Sequence, residues 1–256
     1  EYGRGNPKHQ FTGDAHYWGV WHDAEPFENF EKKVPRFMSE YGFQSFPEMS
    51  TIELFALEED YNLDSKVMKT HQKHPRGNSL IKEYMLRAFK EPADFESFVY
   101  LSQILQAEGM CIGMEAHRRA RPYNMGTLYW QFNDCWPVAS WSSRDYYCNW
   151  KALQYTAKRS YEDLLISTVQ STDSISVYLI NDKKENLDFD LLSEHIDYNG
   201  ARMSSKAKFI SVKAASSKLI YTLATDDYLY IDSIENRSYL DIQVLQNGEV
   251  KARTLH

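Results

Sequence analysis

In Arg36-Phe37-Met38-Ser39-Glu40-Tyr41-Gly42-Phe43-Gln44-Ser45-Phe46-Pro47 an apolar run ends on a carboxylate and then turns. A buried strand that delivers Glu40 to its carboxyl end, before a loop walled by Tyr41, Phe43 and Phe46, is how a parallel α/β barrel presents a catalytic carboxylate. A solvated surface Glu is the commoner case for this residue type alone; the strand and the aromatic loop decide for chemistry. A second stretch, Trp130-Gln131-Phe132-Asn133-Asp134-Cys135-Trp136-Pro137-Val138-Ala139-Ser140-Trp141-Ser142-Ser143, carries three Trp within twelve residues, interleaved with amides, a carboxylate and hydroxyls. Aromatic faces stack on the C–H faces of a sugar ring while amides and carboxylates take its hydroxyls, so this mixture suits a carbohydrate. Trp130 is expected in the pocket, and at least one of Trp136 and Trp141 in packing alone.

The elements that must position these residues follow from periodicity. Asp14–Trp18 reads as a short strand, Phe27–Lys33 as a brief helix before Pro35, and Arg36–Ser39 as the strand that carries Glu40. Ser50 with Glu53 predicts a capping-box helix start, and Asn78 or Ser79 caps an amphipathic segment through Phe89. From Asp94 to Arg119 the apolar residues keep helical spacing, and Arg118, Arg119 and Arg121 read as charges at a helix C-terminus. Thr127–Phe132 predicts a second buried strand, and Trp150–Tyr161 a closing helix. Strand, long helix, strand, helix is α/β with parallel strands.

Past residue 163 the period becomes two. Leu164-Ile166, Ile175-Val177-Leu179, Leu187-Phe189-Leu191, Phe209-Ile210-Val212, Leu219-Tyr221-Leu223 and Tyr239-Leu240-Ile242-Val244 predict an antiparallel immunoglobulin-like sandwich. All six Trp and all eight Pro lie at or before Trp150, so two domains are expected, 1–161 and 162–256, the second without chemistry of its own.

Composition sets limits on partners. A net charge of −7, with no basic block beyond Arg118-Arg119 and Arg121, argues against nucleic acid. No apolar run approaches a membrane span. Cys111, Cys135 and Cys148 have no CxxC spacing, and the His16/His22 and His71/His74 pairs lack a recognised ligand set, so no metal or cofactor is expected.

The Glu40 and Trp130 stretches, together with Gly13-Asp14-Ala15-His16-Tyr17-Trp18, Asp145-Tyr146-Tyr147 and Asn149-Trp150-Lys151-Ala152-Leu153, resemble the β-mannosidases of glycoside hydrolase family 2. The resemblance implies a retaining exo-acting hydrolase of terminal β-D-mannose with a (β/α)8 TIM barrel. Glu40 is then the nucleophile, oriented by Tyr17. Trp130 floors the sugar site, Asn133 or Asp134 reaches a hydroxyl, and Trp18 and Trp141 complete the substrate-binding set. A periplasmic, secreted or lysosomal setting goes with the family.

Two departures qualify the match. Cys148 stands where the family pattern has Gly. More importantly, the family's general acid/base is a Glu after Asn, and the sequence contains no Asn-Glu pair. Only 39 residues precede Glu40, whereas a barrel needs about 250. The expectation is the last three or so barrel strands plus the sandwich, a piece of a longer polypeptide that is inactive alone. Its open barrel faces would demand the N-terminal part or self-association. The alternatives are a family relative of β-galactosidase or β-glucuronidase type, and a non-catalytic carbohydrate-binding module.

Overall fold

In the computed structural model, which describes residues 13–224 and 238–256, the chain forms two units. The first comprises the described residues up to His117 together with Tyr123–Ser160; the second comprises Arg118–Pro122 and the described residues from Tyr161 onward.

In the first unit, β1 (Ala15–His16) pairs in parallel with β2 (Met38–Glu40), placing His16 opposite Glu40. On the other edge of β2, Thr127 forms a parallel bridge to Met38. Leu128 N–H donates to the Met38 carbonyl at 2.8 Å, and Trp130 N–H to the Tyr41 carbonyl at 2.8 Å. Three parallel segments therefore lie side by side with the Glu40 strand central. The predicted strand at Thr127–Phe132 is corrected in one respect: it makes only this short ladder and is not buried on both faces. Thr127 faces inward, while Leu128, Trp130 and Phe132 are exposed.

Short helices α1 (Gly19–His22), α2 (Asn29–Lys32), α3 (Met49–Ile52) and α4 (Lys66–Thr70) punctuate the loops, and α5 (Gly77–Ala88) precedes the 25-residue α6 (Phe95–Arg119). Asp94 Oδ1 caps α6 by accepting from Ser97 N–H at 2.7 Å. Neither capping expectation upstream holds. Residue Glu48 occupies the N-cap of α3 without a side-chain bond, and α5 starts at Gly77 after Arg76. Helix α6 spans roughly 37 Å at 1.5 Å per residue, long enough to return the chain from β2 to the third parallel segment. Its buried face, Phe98, Ser102, Leu105, Gln106, Met110, Met114 and His117, follows the 3–4 stride of an amphipathic helix. Gly113 lets α6 approach closely, since a Cβ there would meet Tyr41 Cε2 at 2.7 Å. The core of this unit includes Trp21, Phe30, Met38, Tyr41, Phe43, Phe46 and Tyr84, all at most 2% exposed. Helix α7 (Ala152–Ser160) closes it through Leu153 and Ala157.

The second unit is an antiparallel sandwich. β3 (Leu164–Gln170), β4 (Ser174–Asn181) and β7 (Ser216–Ala224) make one sheet; β6 (Arg202–Val212), β5 (Leu187–Asp197), β8 (Ser238–Gln246) and β9 (Glu249–Leu255) make the other, in that spatial order. Alternate residues Ile175, Val177 and Leu179 of β4 meet Phe189, Leu191, Ile210, Ile242 and Val244 in its core. Strand β9 is an addition to the six stretches read from the sequence, the last of which ended at Val244. Arg118, Arg119 and Arg121 do more than complement a helix dipole. Arg118 donates to the Glu162 carbonyl at 2.8 Å and to Asp182 Oδ2 at 3.0 Å, Arg119 to Ser167 Oγ at 2.6 Å, and Arg121 pairs with Asp182 Oδ1.

Candidate active site

Glu40 closes β2, with its side chain 22% exposed. Two groups from the neighbouring β1 segment converge on one of its oxygens. Trp18 Nε1–H donates to Oε2 at 2.9 Å, and His16 Nδ1 lies 2.9 Å from the same atom. Strand alternation explains the pair, because residues 16 and 18 share a face and residue 17 takes the other. Tyr17 is accordingly placed elsewhere than the resemblance implied. Its hydroxyl bonds Glu25, its ring is buried against Phe30, and burial followed by the Glu25 bond raises its pKa well above the usual phenol value. The Tyr17 backbone bonds Glu40, its N–H donating to the Glu40 carbonyl at 2.8 Å. Behind the strand, Ser39 Oγ–H donates to Asp14 Oδ2 at 2.6 Å, which lowers the Asp14 pKa.

The wall beside Glu40 is aromatic and closely fitted. A Cβ on Gly42 would lie 2.4 Å from the Trp130 carbonyl oxygen, 3.1 Å from Trp141 Cδ1 and 3.2 Å from the far edge of the Trp18 ring. Gly42 is therefore where Trp18, Trp130 and Trp141 meet, two residues past the carboxylate. The rings of Trp18 and Trp141 cross at 79° with centroids 6.0 Å apart, and Trp141 continues onto Trp21 and His74 at 5.8 and 6.3 Å. Trp130 stays 42% exposed. Trp136 packs toward His71, which itself stacks on Phe55 at 3.8 Å.

Asp134 is used internally. Its side chain is 1% exposed and accepts from Lys73 Nζ at 2.6 Å, Ser140 Oγ at 2.5 Å and Gln131 Nε2 at 3.1 Å. These bonds fold the loop after Trp130; a sugar hydroxyl would compete with all three. Asn133 is exposed and its carbonyl accepts from Gln131 at 2.9 Å, leaving its side-chain amide on the surface. Cys148 holds the left-handed conformation, φ 68°, that suits the Gly of the family pattern.

Sequence reasoning missed His16 and the Lys73–Asp134 pair. The alternation His16-Tyr17-Trp18 carried the signal for the first. Nothing local carried it for the second, whose partners are 61 residues apart.

Residues 173–256 match the family described as the Mannosidase Ig/CBM-like domain. The chain is 36% identical over 190 residues to the β-mannosidase of Capra hircus, covering 69% of this chain and 21% of that protein. It is 30% identical over 261 residues to β-mannosidase B of Aspergillus terreus, covering 94% and 31%. Among solved structures, β-D-mannosidase from Dictyoglomus thermophilum superposes with a TM-score of 0.86 at 29% identity, over 96% of this chain and 30% of that one. An exo-chitosanase of Amycolatopsis orientalis shares the fold at TM-score 0.71 and 18% identity, over 91% of this chain and 29% of that one. Fold and relatives together define a chain of glycoside hydrolase family 2 type. Within that class, it resembles the C-terminal portion of a β-mannosidase. It spans less than a third of the length of each of these curated relatives.

Proposed function

We propose that the polypeptide to which this chain belongs is a retaining exo-β-mannosidase and that Glu40 is its nucleophile. The observation that carries this reading is the pair of donors on Glu40 Oε2, Trp18 Nε1 and His16 Nδ1, at the end of a central parallel strand. With Oε2 held, Oε1 is presented to the anomeric carbon. Attack there forms a glycosyl ester and expels the aglycone oxygen, which a second carboxyl about 5 Å away must protonate. Water then attacks the same carbon, that second group takes its proton, and Glu40 is released as carboxylate. The exposed face of Trp130 offers the sugar a stacking surface.

The three parallel segments 15–16, 38–40 and 127–130, joined by helical connections, are read as consecutive strands of a (β/α)8 barrel. The acid/base and the rest of the sugar wall then come from sequence outside these 256 residues, and the chain by itself does not hydrolyse glycosides. With the natural polypeptide, a panel of 4-nitrophenyl β-glycosides tests the reading. Preference for β-mannoside, and loss of kcat on the order of 10⁴-fold in Glu40→Gln, support it. A clear preference for β-galactoside or β-glucuronide, or an active Glu40→Gln, refutes it.

A further inference from the structure

Lys151, immediately before α7, is fully buried. Its Nζ donates to two backbone carbonyls, Ser45 at 3.2 Å and Ser140 at 3.1 Å. These are the two residues of an isolated antiparallel bridge, Ser45 N–H to the Ser140 carbonyl at 3.0 Å and Ser140 N–H to the Ser45 carbonyl at 3.1 Å. Each carbonyl thus accepts twice, once across the bridge and once from the ammonium. One side of the bridge is the chain running on from Glu40 through Gly42; the other is the end of the Trp-rich loop, one residue before Trp141.

A single two-bond bridge is weak by itself, and burying a cation is costly unless it is paired and hydrogen-bonded. Asp134, Asp145 and Glu48 favour the protonated form, against desolvation as the larger effect and Lys73 as a smaller one. Other contacts also join the two sides: Trp130 N–H donates to the Tyr41 carbonyl at 2.8 Å, and Gln106 on α6 donates to the Phe43 carbonyl at 2.7 Å and to the Ser142 carbonyl at 3.5 Å. Lys151 bonds both carbonyls of the Ser45–Ser140 bridge itself, and its own N–H is fastened to the Ser143 carbonyl at 3.0 Å.

We infer that Lys151 is a positioning residue for the proposed reaction, clamping the Glu40 segment to the Trp130–Trp141 wall so that nucleophile and sugar floor keep one separation. The inference rests on the mannosidase reading for its chemistry, but the clamp itself is testable without it. The variants are Lys151→Met, which has similar volume and no donors, and Lys151→Gln, whose amide donates from a shorter stem. Met85→Ala in the core of α5 serves as a control for lost stability.

The first readout, in the natural polypeptide, is amide hydrogen exchange of peptides containing Ser45 and Ser140. Lys151→Met should lose at least tenfold protection there, Lys151→Gln at least threefold, and Met85→Ala no more at these peptides than elsewhere in the unit. The second is inactivation by a 2-deoxy-2-fluoro-β-mannosyl fluoride, separated into a maximal rate and a binding constant. The maximal rate should fall 10- to 100-fold in Lys151→Met, the scale expected for misplacement by about 1 Å, and stay within twofold in Met85→Ala. If Lys151→Met does not accumulate as folded protein, Lys151→Gln carries both readouts. Unchanged protection at the two serines overturns the clamp, as does an inactivation rate that tracks thermal stability equally in Lys151→Met and Met85→Ala. If wild type is not inactivated while Lys151→Met still loses protection at the two serines, the clamp stands and the mannosidase reading is removed.

Discussion

Adding one methyl group at Gly42 should disturb the site more than any other change of that size near Glu40. The new Cβ would sit 2.4 Å from the Trp130 carbonyl oxygen, against about 3.3 Å for a close carbon–oxygen contact, so roughly 0.9 Å must be found. The obstacle is backbone, and it is tied: Trp130 N–H donates to the Tyr41 carbonyl at 2.8 Å. Moving Trp130 by that amount along this bond would stretch it to about 3.7 Å, beyond hydrogen-bonding range. Loss of one backbone bond, about 1 kcal/mol, added to overpacking at 1–3 kcal/mol, gives a destabilisation of roughly 2–4 kcal/mol for Gly42→Ala. All six Trp lie in the first unit, so denaturant unfolding followed by tryptophan fluorescence reports this unit alone. In the natural polypeptide, on the proposed mannosidase reading, a displacement of the Trp130 floor near 1 Å should also slow turnover by about 100-fold. If Gly42→Ala unfolds within 0.5 kcal/mol of wild type (about the spread of ordinary surface substitutions), the close fit of Gly42 against Trp130 is wrong.

Other perturbations follow from the same contacts. Cys148→Gly relieves a left-handed residue at φ 68° and should raise the stability of the first unit by about 1 kcal/mol, read by the same fluorescence assay. Asp134→Ala leaves Lys73 and Ser140 without their buried acceptor and should cost about 3–5 kcal/mol; a loss under 1 kcal/mol would free Asp134 for the sugar-contacting role the sequence suggested. Burial pushes Lys151 down to about 7 from 10.5. Between those values the unfolded chain holds a proton that the folded chain does not, so the Lys151 contribution makes stability rise as pH increases from about 7 to 10. Below pH 7 both states are protonated and the dependence vanishes. Unfolding measured across that window should slope upward in wild type relative to Lys151→Met, with a ceiling on the order of 5 kcal/mol.

Much of this arrangement was legible in the sequence because local pattern carried it. The apolar run into Glu40, the helical stride of α6 and the period of two beyond residue 163 each reflect burial of one face, which a linear sequence records. What was not legible depended on partners far apart. Tyr17 was assigned to Glu40 by family position, but its hydroxyl is taken by Glu25, and the strand alternation hands Glu40 to His16 and Trp18. Asp134 resembled a ligand-binding carboxylate until Lys73, 61 residues earlier, claimed it. Lys151 lies in a stretch that reads as an ordinary helix start, and only the tertiary meeting of Ser45 and Ser140 gives its charge a purpose. Thr127–Phe132 was too aromatic to read as half-exposed, yet Leu128, Trp130 and Phe132 all face outward.

The central claim is that Glu40 attacks the anomeric carbon, and covalent trapping tests it most directly. The natural polypeptide is incubated with a 2-deoxy-2-fluoro-β-mannosyl fluoride, digested and mapped by mass spectrometry. The account predicts one fluoromannosyl adduct, on Glu40 within the peptide containing Ser39-Glu40-Tyr41-Gly42, absent in Glu40→Gln. An adduct on any other carboxylate, or inactivation that persists in Glu40→Gln, would contradict it.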